Sequence, residues 1–307
     1  MGRAKSAVWN EFLRNRVKGK YTAKKAQHKA YARRKYAKYQ GKKIVHNPTL
    51  QKEIDLRLLD DQSPEAIAGY LGRHNKRKND CASKNAIYRY LDSVYGRRIE
   101  TQLWLKRKKR SYRKRRGSKK SLSERTFIDK RPRIINARRR IGDAEADFVV
   151  SGKSGKGILL VVVDRKSRTS FLEQIVKVTI SNVHGAFVLI KKRFPELMTA
   201  TTDNDLLFER HKELEKLLNI KVYFCHQYHS WEKGTVENTN KVIRRDIPKG
   251  SDISRYTKRF IKRLEAKLNR RPMKVIYFQT PQETLDSYRE QAKQRAKNKK
   301  RRGGASF

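Results

Sequence analysis

The stretch Gly157-Ile-Leu-Leu-Val-Val-Val-Asp164 decides the fold, because its apolar run is unbroken and rich in β-branched residues. A short run of this kind between turn residues is typical of a strand that is buried on both faces of a sheet. Residues 144–150 and 169–176 form similar segments on either side, and short Gly and Lys turns join all three. The sequence therefore predicts three consecutive strands that meander.

Helices and strands are predicted to alternate after this meander. The expected elements are a helix over 181–193, a strand over 198–202, a helix over 212–218, a strand over 220–224 and a helix beginning near Gly234. Three meandering strands followed by alternating helix and strand are the order of an α/β RNase-H-like core, in which helices flank a five-stranded mixed sheet. We place this core at 141–288.

An all-α region is predicted upstream, over 48–97. Apolar residues recur there at helical spacing from Leu50, and Ser63 and Ser83 are suited to cap two further helices. Helix, loop and capped helix in a basic context indicate a helix-turn-helix DNA-binding domain, although a plain three-helix bundle has the same apolar pattern. The recognition helix would expose four residues to DNA, namely Lys84, Asn85, Tyr88 and Arg89.

The charge balance indicates a polyanionic partner. The formal net charge is +48, from 78 Lys plus Arg against 30 Asp plus Glu, and so much like charge favours binding to nucleic acid. No apolar run approaches the roughly 20 residues of a spanning helix, and no signal peptide follows Met1, so we expect no membrane partner. Cys81 and Cys225 form no disulfide or zinc-ribbon pattern, so reducing cytoplasm is the simplest setting.

Three further segments are predominantly basic. Residues 1–47 are predicted as a helical arm, 98–140 as a linker and 289–307 as a disordered tail. Within 106–120, eleven of fifteen residues are Lys or Arg and none is acidic, so this run should follow DNA phosphates. The residues that we expect to contact DNA there are Lys106, Arg107, Lys108, Lys109, Arg110, Arg113, Lys114, Arg115 and Arg116.

Three carboxylates fall where an open α/β sheet exposes side chains to a ligand. Asp147 lies on the first strand, Asp203 follows the fourth, and Glu237 lies on the helix after the fifth. Converging carboxylates suit Mg²⁺, and two such ions catalyse phosphodiester exchange. Taken one at a time, each of these acids is at least as well explained by a structural role, such as capping a turn or carrying a surface charge, as by catalysis. Glu145 shares a strand face with Asp147, so periodicity leaves either as the first ligand.

A resemblance to a known family bears on that choice. The segment Tyr228-His-Ser-Trp-Glu-Lys-Gly-Thr-Val-Glu-Asn-Thr-Asn-Lys-Val-Ile-Arg244 closely resembles the signature around the catalytic Glu of insertion-sequence-thirty-type bacterial transposases, members of the DDE class. Similar correspondences occur at Asn269-Arg-Arg-Pro272 and at Ser63-Pro-Glu-Ala-Ile-Ala68. Ala144-Glu-Ala-Asp147 departs from the family's Trp-Glu-Gly-Asp run.

The resemblance implies a function and a site. Asp147, Asp203 and Glu237 match the family's catalytic and metal-binding triad, which would hold two Mg²⁺ ions, or Mn²⁺ in their place. The implied reaction is cleavage at transposon inverted-repeat ends and transfer of the 3′ end into target DNA. We expect a homodimer or higher oligomer, associated with the bacterial nucleoid. Lys241 and Arg244, four and seven residues after Glu237, would position phosphates.

Rival interpretations remain. A degenerate core that only binds or represses DNA is the main alternative, and a basic RNA-binding protein is a second one, for which the sequence has no RRM or KH signature. His226 and His229 form a His-x-x-His pair, but no second ligand pair lies at finger spacing, so we predict no zinc site. Trp231 is expected to pack beneath the catalytic loop.

Overall fold

A computed structural model describes residues 2, 4–37, 42–100, 125–226 and 229–303. The chain divides into two compact units, Met1–Leu103 and Trp104–Phe307, and each has a hydrophobic core of its own. None of the helices in the described ranges combines the length and the apolar composition that crossing a bilayer requires.

The N-terminal unit is built from helices over its described residues. They are α1 (Lys5–Asn15), α2 (Ala23–Ala37), α3 (Lys42–Val45), α4 (Pro48–Leu59), α5 (Pro64–His74), α6 (Lys84–Leu91) and α7 (Arg97–Glu100). Asn47, Ser63 and Ser83 cap α4, α5 and α6, because each side-chain oxygen accepts a hydrogen bond from the backbone N–H three residues later. The helices predicted from Leu50, Ser63 and Ser83 are therefore confirmed.

The core of this unit is formed by helices α3, α4, α5 and α6. Ile54, Leu58, Ile67 and Ile87 are fully buried within one apolar cluster. Tyr90 is also buried, and its hydroxyl donates to Asp55 Oδ1 at 2.8 Å. Burial and this hydrogen bond raise the pKa of Tyr90 to about 12, so the phenol keeps its proton.

The basic arm begins with two helices that pack on each other. Trp9, Phe12 and Tyr21 stack in series, with ring centroids 5.6 Å and 5.9 Å apart. Ala26 of α2 is buried, and Lys29 donates to the carbonyl of Arg16 at 3.0 Å. The segment before Pro48 thus has a small apolar contact of its own.

The second unit contains one sheet. Its elements are α8 (Arg133–Asn136), β1 (Asp143–Val150), β2 (Ile158–Asp164), β3 (Ser170–Ile175), α9 (Ile180–Arg193), β4 (Thr199–Thr202), α10 (His211–Leu218), β5 (Lys221–Phe224), α11 (Gly234–Asp246), α12 (Lys258–Asn269) and α13 (Pro281–Gly303). The strand order is β3-β2-β1-β4-β5. β1, β2 and β3 form an antiparallel meander, whereas β4 pairs parallel with β1 and β5 parallel with β4. This five-stranded mixed sheet confirms the RNase-H-like fold.

Both faces of the sheet are covered, which explains why β2 is apolar throughout. Alternate residues of β2, such as Leu160 and Val162, pack with α9 and α10 in one cluster. Leu159 and Val161 pack on the opposite face with α11 and α12. Val149 of β1 belongs to the second cluster, and residues two and four positions before it on the strand point to the same face.

Two segments differ from the sequence-based expectation. Residues 125–140, assigned to the linker, belong to the second unit, because Phe127 bridges to Phe224 of β5 and Ile135 is buried. Residues 289–303, assigned to a disordered tail, continue α13. Good helix formers such as Gln, Ala, Lys and Arg fill that stretch, and Arg289 forms an ion pair with Glu196 at 2.8 Å.

Candidate active site

Two of the three predicted metal ligands lie on neighbouring strands. Asp147 lies on β1, and Asp203 directly follows the last residue of β4. Glu145 is opposite Thr201 in the parallel pairing of these strands, and continuing that register places Asp147 level with Asp203. Both carboxylates therefore reach the same end of the sheet.

A single ammonium group joins the two carboxylates. Lys233 Nζ donates to Asp147 Oδ1 at 3.0 Å and to Asp203 Oδ2 at 2.8 Å, and the Lys233 side chain is only 9% exposed. Burial disfavours the charge of this lysine, but attraction to Asp203 and Asp147 outweighs burial and raises the pKa of Lys233. The two acids thus converge on one cationic point.

The third acid lies on the face of α11 that contacts this point. Asn240 Nδ2 donates to Asp147 Oδ2 at 2.8 Å, and Lys233 contacts the same carboxylate from just before the helix. Glu237 is three residues before Asn240 on α11, so these two side chains lie on one face of the helix. Glu237 is half-buried, and within the described ranges no hydrogen bond or ion pair engages its carboxylate. The face of α11 that holds Glu237 is therefore turned toward Asp147.

The donors around this point fit divalent metal ions. Asp203 Oδ1 is buried and has no hydrogen-bond partner among the described residues. Burial raises the pKa of Asp147, Lys233 opposes the shift, and the charge of Asp203 adds to it. Asp147 and Asp203 thus place carboxylate oxygens around one point, and hard oxygen ligands of this kind are what Mg²⁺ prefers.

Glu145, the alternative first ligand, has a structural role. Its Oε1 accepts from Arg165 Nε at 3.1 Å, and its Oε2 accepts from the backbone N–H groups of Thr235 and Val236 at 2.8 and 3.0 Å. Those N–H groups are at the start of α11, where no residue of the helix can satisfy them. A negative charge is also favourable at a helix N-terminus. The fully buried Glu145 carboxylate therefore caps the helix that carries Glu237.

The other nearby acids also have structural partners. Asp143 pairs with Arg140 and accepts from Thr199 Oγ1 at 2.8 Å. Asp164 accepts from three backbone N–H groups, including that of Gly142 at 2.8 Å. Asp205 accepts from the N–H of Leu207 at 2.9 Å, at the start of a short 3-10 turn. These contacts distinguish them from Asp147 and Asp203, which share Lys233.

The residues expected to position phosphates on α11 differ in their surroundings. Lys241 is exposed. Arg244 donates to the carbonyl of Val150 at 3.0 Å, and burial lowers its pKa.

Trp231, expected to pack beneath the catalytic loop, is 71% exposed, so that prediction is wrong. Its ring instead meets His229 edge-on, with centroids 4.5 Å apart.

A basic cavity of about 290 Å³ opens beside the first turns of α11. Arg138, Arg168, Thr235 and Asn238 contribute to its lining. Arg168 Nη1 donates to Thr235 Oγ1 at 2.8 Å, while its Nε is buried without a partner among the described residues. Burial, together with the charge of Arg138, lowers the pKa of Arg168. Two guanidinium groups line this cavity, which makes it suited to an anion.

The N-terminal unit presents the predicted recognition surface. The residues of α6 that the sequence assigned to DNA binding, Lys84, Asn85, Tyr88 and Arg89, are all exposed. The opposite face of α6, formed by Ile87, Tyr90 and Leu91, is buried. The basic residues from Lys106 to Arg116 lie outside the described residues.

Sequence reasoning missed two polar residues at the site, Lys233 and Asn240. A signal existed for Asn240, because it is three residues after Glu237 and therefore on the same helix face. Lys233 carried no such signal, because it precedes the helix and its contacts with Asp147 and Asp203 are tertiary.

The chain has close curated relatives. It is 38% identical to the "Transposase for insertion sequence element IS4351" of Bacteroides fragilis, over 92% of this chain and 86% of that protein. It is 30% identical to the "Transposase InsI for insertion sequence element IS30A" of Escherichia coli, over 93% of this chain and 76% of that protein. A third relative, the transposase for IS1086 of Cupriavidus metallidurans, is 30% identical over 93% and 86%. No family model matches the chain.

Solved structures with some similarity are integrases. The catalytic core domain of BIV integrase has a TM-score of 0.38 and 19% identity, covering 49% of this chain and 98% of that one. The HTLV-2 integrase catalytic core domain has a TM-score of 0.33 and 20% identity, covering 43% and 88%.

Proposed function

This chain belongs to the family of bacterial insertion-sequence transposases that includes those of IS30 and IS4351, and we propose that Asp147, Asp203 and Glu237 are the catalytic triad with which it cleaves and joins DNA. It is a DDE-type polynucleotidyl transferase. One observation supports the assignment of the two aspartates: Asp147 and Asp203, which are 56 positions apart in the sequence, both contact the ammonium of Lys233.

The three acids would hold two Mg²⁺ ions. When bound, such ions activate the attacking oxygen and stabilise the leaving oxygen of an in-line phosphodiester displacement. Asp147 and Asp203 supply ligands from the sheet and Glu237 from α11, while Asn240 fixes the orientation of Asp147. Lys233 holds the two aspartates together and offsets their repulsion until metal binds.

The DNA would be contacted by both units. Lys84, Asn85, Tyr88 and Arg89 would recognise the terminal inverted repeats, because they form the exposed face of a capped helix. Near the active site, Arg138 and Arg168 would bind a backbone phosphate, and Lys241 would add a further contact. The protein would act as a dimer or higher oligomer, because two transposon ends must be paired, and would work at the bacterial nucleoid.

The rival interpretation of a catalytically degenerate DNA-binding protein has no support. The curated relatives bear the name transposase.

A cleavage and strand-transfer assay on the inverted repeats that flank the gene tests this proposal. We expect Mg²⁺-dependent products that disappear with chelator, and no products from Asp147→Asn, Asp203→Asn or Glu237→Gln, although these variants fold and bind DNA. Asp205→Asn is the matched control, because asparagine can also accept the hydrogen bond from Leu207. Cleavage by Asp147→Asn at the wild-type rate would remove that residue from the triad.

A further inference from the structure

The loop between β5 and α11 brings together three side chains that are suited to a transition metal. His226, His229 and Glu232 each offer one ligand atom, and these atoms all lie within 4.8 Å of one another. His226 Nδ1 is 2.9 Å from Glu232 Oε1. Four ligands in a tetrahedron around Zn²⁺ would be about 3.3 Å apart, since each lies about 2.0 to 2.1 Å from the metal. Small side-chain adjustments therefore suffice to bind an ion.

Hydrogen bonds connect His226, His229 and Glu232 to one another. Glu232 Oε2 accepts from the N–H of His226 at 2.8 Å, and the N–H of Glu232 donates to the carbonyl of His229 at 3.0 Å. The N–H of His229 donates in turn to the carbonyl of His226 at 3.3 Å. These hydrogen bonds hold the three residues close together, so the cluster is preorganised.

A carboxylate outside the loop orients the first histidine. Asp129 Oδ2 is 2.8 Å from His226 Nε2, and the ring of Phe127 stacks on that of His226 at 5.5 Å. Metal-binding histidines commonly donate their second ring N–H to a carboxylate, which fixes the tautomer and directs the other nitrogen to the metal. When the proton of His226 is on Nε2, the lone pair of its Nδ1 points toward Glu232. A metal ion between Nδ1 and Glu232 would then take the place of the second proton of an imidazolium.

Although the sequence alone predicted no zinc site here, we propose that His226, His229 and Glu232 form a second metal site, in which they and one water molecule bind a zinc-class divalent ion and Asp129 orients His226. Two imidazoles and one carboxylate make a mixed nitrogen and oxygen donor set, which suits zinc and its neighbours. Mg²⁺ prefers an all-oxygen environment. The two metal sites of this chain would therefore select different ions.

The position of this site gives it a role. Lys233, which bridges the two aspartates, directly follows Glu232, and α11 begins at the next residue. An ion bound by 226, 229 and 232 would restrict the loop just before Lys233 and would thereby hold the start of the helix that carries Glu237. The site would position α11, and its occupancy can be measured without an assay of DNA cleavage.

Zinc binding to the purified full-length protein tests the proposal. The protein is dialysed against Zn²⁺ in the presence of excess Mg²⁺, which occupies the carboxylate site, and bound zinc is measured by elemental analysis. We expect about one Zn²⁺ per chain, with binding weakened at least tenfold in His226→Gln and in His229→Gln. Asp129→Asn should weaken it by about ten- to a hundredfold, as other losses of an orienting partner do. Co²⁺ should give the strong visible absorption of a four-coordinate site.

His184→Gln is the matched control, because it removes a histidine from α9, outside the loop. It should bind zinc as the wild type does, and circular dichroism would establish that all variants are folded. Three outcomes would each overturn the proposal: no zinc retained in excess Mg²⁺, equal zinc binding by the wild type and His226→Gln, or a weak Co²⁺ spectrum typical of six oxygen ligands.

Discussion

Replacement of Glu145 by Gln should destabilise the second unit strongly while leaving its active site chemically intact. The fully buried carboxylate accepts hydrogen bonds from Arg165 and from the N–H groups of Thr235 and Val236. A glutamine has one acceptor oxygen, so it satisfies either the guanidinium or the helix end, and its NH₂ group then faces the other donor. Breaking a buried ion pair by removing one partner costs about 3–5 kcal/mol, and we expect a loss of unfolding free energy in that range.

For a unit of this size, each kcal/mol lowers the melting temperature by about 2–4 °C, so the predicted decrease is about 6–20 °C. Thermal unfolding followed by calorimetry measures it. Below its own transition the variant should retain substantial metal-dependent cleavage, whereas Asp147→Asn should be inactive at any temperature.

Glu213→Gln is the control for this experiment. Its carboxylate is 62% exposed and lies 3.9 Å from Arg210, and surface ion pairs contribute only about 0–1 kcal/mol. A loss below about 1 kcal/mol in Glu145→Gln would refute the capping role. Complete inactivity of a folded Glu145→Gln, with activity retained in Asp147→Asn, would instead identify Glu145 as the metal ligand.

Three further predictions concern other parts of the chain. The Lys233→Met variant should bind Mn²⁺ at least about tenfold more tightly by calorimetry, because the Lys233 ammonium no longer competes with the ion for the carboxylates of Asp147 and Asp203. Each hydrogen bond from such a charged group is worth about 1.5–3 kcal/mol. Unchanged affinity would show that Lys233 does not compete with the metal. Lys84→Ala and Arg89→Ala should weaken binding to the terminal repeat more than cleavage of a pre-nicked end, whereas a change in folding alone would favour the plain three-helix bundle. Tyr90→Phe should destabilise the N-terminal unit by about 1–3 kcal/mol in urea unfolding, because Asp55 loses a hydrogen-bond donor; equal stability would show that water replaces the hydroxyl.

The sequence predicts the fold well where local signals and burial agree. The apolar run 158–164 is a strand with both faces covered, and Ser63 and Ser83 cap helices as expected. It fails where the deciding contact is distant. Nothing near residues 125–140 indicates that Phe127 pairs with β5, and the basic composition of 289–303 concealed a helix that is anchored at its beginning.

In the candidate site, too, the sequence predicts what depends on local order and misses what depends on distant contacts. The positions of Asp147, Asp203 and Glu237 on their elements follow from the chain order, and the structure brings the first two together. Periodicity left Glu145 and Asp147 equivalent, because both point to one face of β1. The structure distinguishes them by partners that lie far along the chain: Glu145 meets the start of α11, and Asp147 meets Lys233.

The contact between Glu145 and the start of α11 also bears on how the chain tolerates changes of length. Glu145 precedes Asp147 by two residues, and Thr235 precedes Glu237 by two. The hydrogen bond from the N–H of Thr235 to Glu145 therefore aligns Asp147 with Glu237. Insertions between 150 and 233 would leave this alignment unchanged as long as the strands still pair. A single-residue insertion between 145 and 147, or between 235 and 237, would misalign the acids without altering any of them. Variation in length among relatives should therefore be confined to the connecting segments and be absent from these two short intervals.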